Sequence, residues 1–247
     1  MFLRLAAVTA IASLAGGPVA PARAGDVLPV GLFSAAKAGG ELPAGWKPLA
    51  FSGIDARTEY SLVEDAGRVV VRSESRASAS GLLREIEIDP AVYPVVEWRW
   101  RVANVLEKGD VTRKSGDDYP ARLYITFGYD PEQASLLQRV RYETLRLLYG
   151  EYPPVAALNY IWASRAPAGT LAPNPYTQQT QMIVVESGAA FVGEWRVERR
   201  NLAEDYRRAF GREAPRISGV AIMSDTDDTE ESAVAWFGDI VFRSKGD

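Results

Sequence analysis

The sequence contains no histidine and no cysteine among its 247 residues. The absence of cysteine excludes disulfide bonds, thiolate nucleophiles and acylation at a cysteine. The absence of histidine removes the usual proton shuttle at neutral pH, and with both types missing the preferred zinc ligands are gone. Lysine is also scarce, occurring only at positions 37, 47, 108, 114 and 245. The remaining chemistry comes from carboxylates, hydroxyls, arginines and aromatic rings, which suit calcium, carbohydrate or another polar ligand.

The N-terminal segment has the pattern of a cleaved export signal. Arg4 precedes an apolar run over residues 5–15, and the small-residue pattern Ala22-Arg23-Ala24 follows it. The run is shorter than the ~20 residues needed to span a bilayer. We therefore expect a signal peptide at residues 1–24 and a periplasmic or secreted mature chain without a transmembrane anchor.

Charge and length limit the class of protein further. The formal net charge is −4, and the predicted signal peptide carries Arg4 and Arg23 but no acidic residue, so the mature chain is more acidic still. An acidic balance argues against nucleic acid as a partner. Hydrophobic residues make up 47% of the chain, enough for a sizeable core. We expect residues 25–247 to form one domain and the protein to be a monomer.

Most of the chain alternates polar and apolar residues with period two, and these stretches are rich in β-branched and aromatic residues. Turn signals such as Asp65-Ala66-Gly67 separate them. The predicted strands are residues 46–51, 59–63, 68–73, 81–88, 95–102, 122–129, 158–163, 179–186, 195–199, 217–224 and 232–242. Eleven short strands predict an all-β fold, an antiparallel β-sandwich or jelly roll.

Two α-helices are expected to interrupt the strands. One covers about residues 131–149, since Asp130-Pro131 supplies an N-cap and a first-turn proline and Gly150 ends the apolar face. The other covers residues 202–210, with apolar residues spaced by four and Gly211 after the last turn.

Alternation also predicts which polar and charged side chains point away from the core. Arg99 lies on the polar face of strand 95–102, and Arg122 and Tyr124 lie on the polar face of strand 122–129. Two interpretations remain open. The face is a solvated one carrying cross-strand ion pairs, or it is a concave surface whose guanidinium groups bind a polar ligand.

Two aspartate-rich segments flank predicted strands. Asp117 and Asp118 precede strand 122–129, and Asp225, Asp227 and Asp228 follow strand 217–224. Both segments also fit ordinary turns. However, adjacent carboxylates repel one another unless an arginine, backbone amides or a cation offsets their charge.

Arg122 is the nearest candidate partner for the first aspartate pair. The spacing of Asp225 and Asp227 resembles the opening of a calcium loop, although the glycine and the distal glutamate of an EF-hand are absent. Asp225 and Asp227 are therefore the candidate metal ligands, with calcium as the candidate ion.

The two aspartate segments are expected to meet in space. If strands 122–129 and 217–224 run antiparallel, the start of one lies beside the end of the other. Both segments then share one edge of the sandwich. A separation above ~15 Å would rule out a shared site, because no hydrogen bond or common metal spans that gap.

Several motifs together resemble a family of secreted bacterial proteins, the domain of unknown function numbered 3047. They are Glu97-Trp98-Arg99-Trp100-Arg101-Val102, Gly116-Asp117-Asp118, Ala121-Arg122-Leu123-Tyr124, Asp205-Tyr206, Phe210-Gly211, Met223-Ser224-Asp225-Thr226-Asp227-Asp228-Thr229 and Gly238-Asp239-Ile240. The resemblance covers about residues 33–242 and implies no activity, so it assigns no catalytic residue. The closing stretch, residues 236–242, is similar to the last strand of galactose-binding-like jelly rolls, which is a likeness of fold only.

The leading hypothesis is a non-catalytic binder of a polar small molecule or glycan, such as a saccharide. The candidate ligand-binding residues are Asp117, Asp118, Arg122, Arg99, Tyr124, Asp225 and Asp227. One alternative is a carbohydrate-active hydrolase using paired aspartates, which requires one raised-pKa acid and one ionised partner at a defined separation. Another is a structural envelope protein, which would need an exposed apolar patch.

Overall fold

The computed structural model describes residues 26–129 and 154–245. The predicted signal peptide, residues 1–24, and the predicted helix at 131–149 lie outside these residues, and both stay predictions. Within the described part the chain forms thirteen strands, arranged as two sheets packed face to face.

The strands are β1 Val27–Gly31, β2 Trp46–Leu49, β3 Glu59–Asp65, β4 Arg68–Arg76, β5 Ala79–Ile88, β6 Val95–Val102, β7 Arg122–Phe127, β8 Ala156–Ala163, β9 Leu171–Asn174, β10 Thr177–Ser187, β11 Arg196–Asn201, β12 Ile217–Asp225 and β13 Ser232–Arg243. The first sheet has the order β11-β6-β13-β4-β3, with β1 also paired to β13. The second sheet has the order β2-β5-β12-β7-β8-β10-β9.

The all-β prediction is confirmed, and each of the eleven predicted strands is present. Two short strands, β1 and β9, carry no clear period-two signal and were not predicted. The expectation of purely antiparallel pairing is wrong at one place. β8 and β10 pair in parallel, with Met182 opposite Asn159. β10 is able to run parallel to β8 because the chain first crosses through residues 164–176, which include the edge strand β9.

The core between the sheets is built from the apolar faces that alternation predicts. From the first sheet, Trp98 and Trp100 are buried, and from the second sheet Tyr160 and Trp162 are fully buried. The ring centroids of Trp98 and Tyr160 are 5.1 Å apart, and those of Trp100 and Trp162 are 6.2 Å apart. These aromatic contacts join the two sheets through their apolar area and ring geometry.

One α-helix, α1 (Leu202–Phe210), is present in the described residues and confirms the second predicted helix. The side chain of Asn201 caps it by accepting a hydrogen bond from the backbone N–H of Glu204 at 3.3 Å. Gly211 ends it with φ 69°, a left-handed conformation that glycine adopts without a Cβ penalty. No helix in residues 26–129 and 154–245 has the length and apolar character needed to cross a membrane.

A partly buried acid lies where β11 meets the core. The indole N–H of Trp100 donates to Glu198 at 3.3 Å. Burial, followed by the nearby carboxylate of Glu186, raises the pKa of Glu198 to about 7. The ordinary value is 4.5, so between these two values the folded chain binds a proton that the unfolded chain has released. The contribution of Glu198 to the free energy of unfolding is therefore lost as the pH rises through about 7.

We expect Glu198→Gln to remove this part of the pH dependence. From pH 5 to pH 8, the free energy of unfolding of the wild type should fall by about 1 kcal/mol more than that of the variant. The figure is kept small because the group is partly exposed. Urea unfolding at the two pH values measures the change, with the exposed Glu41→Gln as control. An equal response of both variants to pH would contradict the assignment.

Candidate functional site

The two aspartate loops meet at one end of the second sheet, as the antiparallel argument predicts. β12 pairs with β7 antiparallel, with Met223 opposite Arg122, so Asp225 lies just past the start of β7. The backbone N–H of Thr229 donates to the Asp118 carboxylate at 2.6 Å. The predicted convergence of the loops is confirmed, because residues 111 positions apart are in direct hydrogen-bond contact.

Arg122 is at the centre of this contact, and its side chain is buried. Its guanidinium binds both carboxylate oxygens of Asp225, with Nε 2.7 Å from Oδ1. The same group donates to the backbone carbonyl of Asp117 and, at 3.5 Å, to its carboxylate. It also lies 4.3 Å from the ring centroid of Tyr119. Because the planar guanidinium group binds carboxylates on both loops, it fixes the position of one loop relative to the other.

Of the two interpretations of this face, the solvated one is wrong for Arg122, since only 2% of the residue is exposed. It does lie on the outer side of β7, as alternation predicts. The loop before β7 covers it there with Tyr119, which is 1% exposed. Tyr124, two residues along the same face, accepts a hydrogen bond from Arg122 at 3.3 Å, so it does belong to the cluster.

The two aspartates of the first loop differ in their partners. Asp117 accepts from the amide of Asn174 at 2.7 Å in addition to its contacts with Arg122. Asp118 is fully buried, and one of its oxygens accepts the Thr229 N–H. Its other oxygen, Oδ1, has no hydrogen-bond partner anywhere in residues 26–129 and 154–245. A buried carboxylate oxygen left without a donor is costly and uncommon.

A glycine explains how the first loop reaches this position. The backbone carbonyl of Gly116 accepts from the N–H of Asp110 at 2.8 Å, which closes the turn that leads into Asp117. A Cβ on Gly116 would lie 2.7 Å from the Asp110 backbone nitrogen. The close approach of the two backbones therefore requires glycine at this position.

Contacts with buried hydroxyl-bearing residues fix the position of the second aspartate loop, residues 225–229. The Thr226 hydroxyl lies 2.9 Å from that of Ser75 on β4, and its backbone N–H donates to the Ser78 carbonyl at 2.9 Å. Thr58 donates to the carbonyl of Ser224 at 2.7 Å. Because Thr226 lies between Asp225 and Asp227, these contacts direct the two carboxylates toward the start of β7 rather than into the sandwich.

An accessible rim surrounds the buried pair of Arg122 and Asp225. It is formed by Asp227 and Asp228, both half-buried, and by Tyr176, which is 47% exposed. The Tyr176 hydroxyl donates to the Asp228 carboxylate at 2.7 Å. The Lys114 ammonium lies 4.9 Å from the centroid of the Tyr176 ring. We call these three residues, Asp227, Asp228 and Tyr176, the acidic rim.

The electrostatics of the site follow from burial and from the excess of acids. Burial lowers the pKa of Arg122, but Asp225, Tyr124 and Asp117 together outweigh this effect, and the net pKa lies well above its ordinary value. Burial, then the carboxylates of Asp118 and Asp228, raise the pKa of Asp227 to about 6. Burial likewise raises the pKa of Asp117, against the lowering effect of Arg122. One permanent cation is thus surrounded by several acids that resist ionisation.

Arg99 does not join this site, so the predicted grouping of Arg99 with Arg122 is wrong, while ligand binding by Arg99 itself stays a prediction. Arg99 belongs to β6 in the first sheet and Arg122 to β7 in the second. Their strands pack through their apolar faces, so the two arginines lie on opposite outer faces of the sandwich. The guanidinium of Arg99 lies 4.5 Å from the ring centroid of Trp195. Period-two alternation assigned each arginine to an outer face but carried no information on which sheet each strand joins.

The structure adds residues that the sequence did not indicate. Asn174 and Tyr176 come from β9 and the turn after it, a segment with no recognisable strand pattern. Asn159 on β8 is paired with Tyr124 in register and is fully buried. Neither atom of its amide has a hydrogen-bond partner within the described ranges. A polar residue inside the otherwise apolar stretch Ala156–Ala163 is the one sequence signal that would have drawn attention to it.

Comparison with known proteins identifies the family. Residues 44–241 match the family described as "Protein of unknown function (DUF3047)", and the chain belongs to it. A search of curated proteins found no match. Among solved structures, the chain is similar to the crystal structure of the Emp47p carbohydrate recognition domain. The sequence identity is 14% and the TM-score is 0.40, with 90% of this chain and 97% of that chain covered.

Proposed function

We propose that this member of the DUF3047 family binds a hydroxyl-rich ligand, a saccharide in the first instance, at the acidic rim. The observation that carries the proposal is the placement of two half-buried carboxylates, Asp227 and Asp228, beside the exposed ring of Tyr176. Carboxylates accept hydrogen bonds from sugar hydroxyls, and an aromatic ring packs against the apolar face of a sugar.

The residues beneath the rim favour a preorganised site. Asp225 is held by Arg122, and the loop that carries Asp227 and Asp228 is tied to Asp118 and to the hydroxyl group of Ser75. A ligand therefore meets carboxylates whose loops are already placed, which reduces the ordering cost of binding. Tyr176 is also placed, because its hydroxyl is held by Asp228.

The same contacts weigh against the hydrolase alternative. A glycosidase needs one carboxyl group free to donate a proton and a second one free to act on the sugar or on water. Asp225 is engaged by both arms of the Arg122 fork, Asp117 by Arg122 and Asn174, and Asp118 has no exposed surface. A hydrolase that pairs aspartates across the two loops is therefore disfavoured, because neither Asp117 nor Asp118 is free.

Glycan-array screening of residues 25–247, followed by calorimetric titration with the best glycan, tests the proposal. We expect Tyr176→Ala and Asp228→Asn each to weaken binding about five- to thirty-fold, because stacking and a carboxylate hydrogen bond are each worth about 1–2 kcal/mol. Both positions are partly exposed, so the thermal midpoint should change little.

Asp89→Asn serves as the matched control. Asp89 follows the far end of β5, whose first residue, Ala79, pairs with Asp225. This substitution should leave the affinity unchanged. Absence of any glycan ligand for the wild type would overturn the saccharide assignment, and wild-type affinity in both rim variants would overturn the location.

A further inference from the structure

Three carboxylates from the two loops converge next to the acidic rim, and one of them, Asp227, belongs to both groups. Asp118, Asp225 and Asp227 each place one carboxylate oxygen so that the three oxygens lie within 4.8 Å of one another. Oxygen ligands of calcium lie 2.3–2.6 Å from the ion, so two ligands of one ion are separated by up to about 5 Å. The spacing of the three oxygens fits a single ion. We call this group the aspartate triad.

A second observation, buried oxygens without hydrogen-bond partners in the described residues, points to a cation at the same place. Asp118 is completely buried, yet its Oδ1 has no donor in the described part of the chain. The hydroxyl of Thr229 is also buried and without a partner there, and the backbone N–H of this residue is bonded to the other Asp118 oxygen. Neighbouring buried oxygens that lack donors are the arrangement that a cation satisfies and that a neutral core does not tolerate.

The charges of the surrounding groups specify the kind of ion. The aspartate triad and Asp117 carry four negative charges when ionised, and Arg122 is the one arginine that the described residues place in contact with them. A divalent cation would reduce the excess from three charges to one, whereas a monovalent ion would leave two. The donors are all oxygens, because the sequence has no histidine or cysteine. Oxygen donors select a hard cation such as calcium or magnesium.

The Arg122 contact does not exclude Asp225 from binding the same ion. Each carboxylate oxygen offers two lone-pair sites, and the Arg122 fork uses one on each oxygen of Asp225. Asp225 then bridges the guanidinium and the ion. Asp227 is half-buried, so water has access to the coordination positions that the protein leaves open.

We propose that Asp118, Asp225 and Asp227 bind one hard divalent cation, calcium in the first instance, and that this ion joins the 225–229 loop to the 117–118 loop. The inference goes beyond saccharide binding and does not depend on it. The ion supplies the charge and the coordination that Asp118 lacks, while Asp228 and Tyr176 of the acidic rim remain available to a ligand.

Calorimetric titration of chelator-treated protein with calcium chloride, and separately with magnesium chloride, tests the site without any glycan. We expect one ion per chain and a rise in the thermal midpoint when the ion is present, because a ligand that binds only the folded state stabilises it. Asp118→Asn and Asp227→Asn should each weaken binding at least ten-fold, since each removes one anionic ligand.

The same variants separate a cation ligand from a merely structural aspartate. Without metal, Asp118→Asn should keep or raise the thermal midpoint, because it removes a repulsive charge and retains an acceptor for the Thr229 N–H. A structural Asp118 would instead lower the midpoint equally with and without metal. Asp228→Asn is the matched control, since Asp228 lies outside the triad and is held by Tyr176. It should lose glycan affinity but keep cation affinity.

Failure of this inference is distinguishable from failure of the proposed function. No heat and no shift of the thermal midpoint with either metal at millimolar concentration would overturn the cation site, whatever the glycan array shows. Wild-type metal affinity in Asp118→Asn would overturn the assignment of the ligands.

Discussion

Replacing Arg122 with methionine should lower the free energy of unfolding by about 3–5 kcal/mol, the usual cost of removing one partner from a buried ion pair. The substitution leaves Asp225 and Asp117 in the interior without their guanidinium partner. It also releases the Asp117 carbonyl, which the same side chain binds. Methionine keeps most of the apolar volume, so the loss reports the charge and the hydrogen bonds. Urea denaturation monitored by tryptophan fluorescence measures it.

Two further variants test whether the loss of stability comes from the buried ion pair. Arg207→Met breaks an exposed pair with Glu213 and should cost under about 1 kcal/mol. The double variant Arg122→Met, Asp225→Asn should recover part of the loss, because it also removes the unpaired buried charge. Equal stability of Arg122→Met and Arg207→Met would show that the buried pair does not hold the loops.

The second large effect is expected in the core between the sheets. Trp100→Ala should destabilise the fold by about 3–5 kcal/mol, since it removes a fully buried indole and leaves a cavity that the surrounding strands fill incompletely. Trp100 packs against Trp98 at 5.4 Å and against Trp162 of the opposite sheet at 6.2 Å, measured between ring centroids. The same denaturation experiment measures the change.

Trp236→Ala is the control on the outer face of the first sheet. Its ring is partly exposed and stacks under Arg101 at 4.0 Å from the centroid, so its removal leaves no closed cavity. We expect a loss of about 1 kcal/mol there. A loss at Trp236 as large as that at Trp100 would place the main source of stability outside the space between the sheets.

The structure also changes which aspartates are informative to mutate. From the sequence, Asp117 and Asp225 are both candidate ligand-binding residues, and nothing distinguishes one from the other in burial. Asp225 is instead 3% exposed and binds both arms of the Arg122 fork, so alanine there strands a buried guanidinium. The half-buried Asp227 and Asp228 are the positions where binding is separable from folding.

The sequence by itself determined the strand content, and it placed the two aspartate loops together on the condition that their strands pair antiparallel. A period of two is a property of neighbouring residues, and it identified the buried faces that carry Trp98, Trp100 and Leu123. The loops could be placed together because antiparallel pairing of β7 with β12 brings the start of one strand to the end of the other. Local pattern was sufficient for the first result, whereas the second also needed the pairing of β7 with β12, which the structure supplies.

Only the tertiary structure decided which sheet each strand joins and what covers each face. Arg99 and Arg122 have the same local pattern, yet sheet assignment leaves Arg99 stacked on Trp195 and buries Arg122 under Tyr119. The contributions of Asn174 and Tyr176 likewise depend on the parallel crossover from β8 to β10, which carries β9 to the edge of the sheet. These contacts join residues far apart in the chain, and no pattern within one strand encodes them.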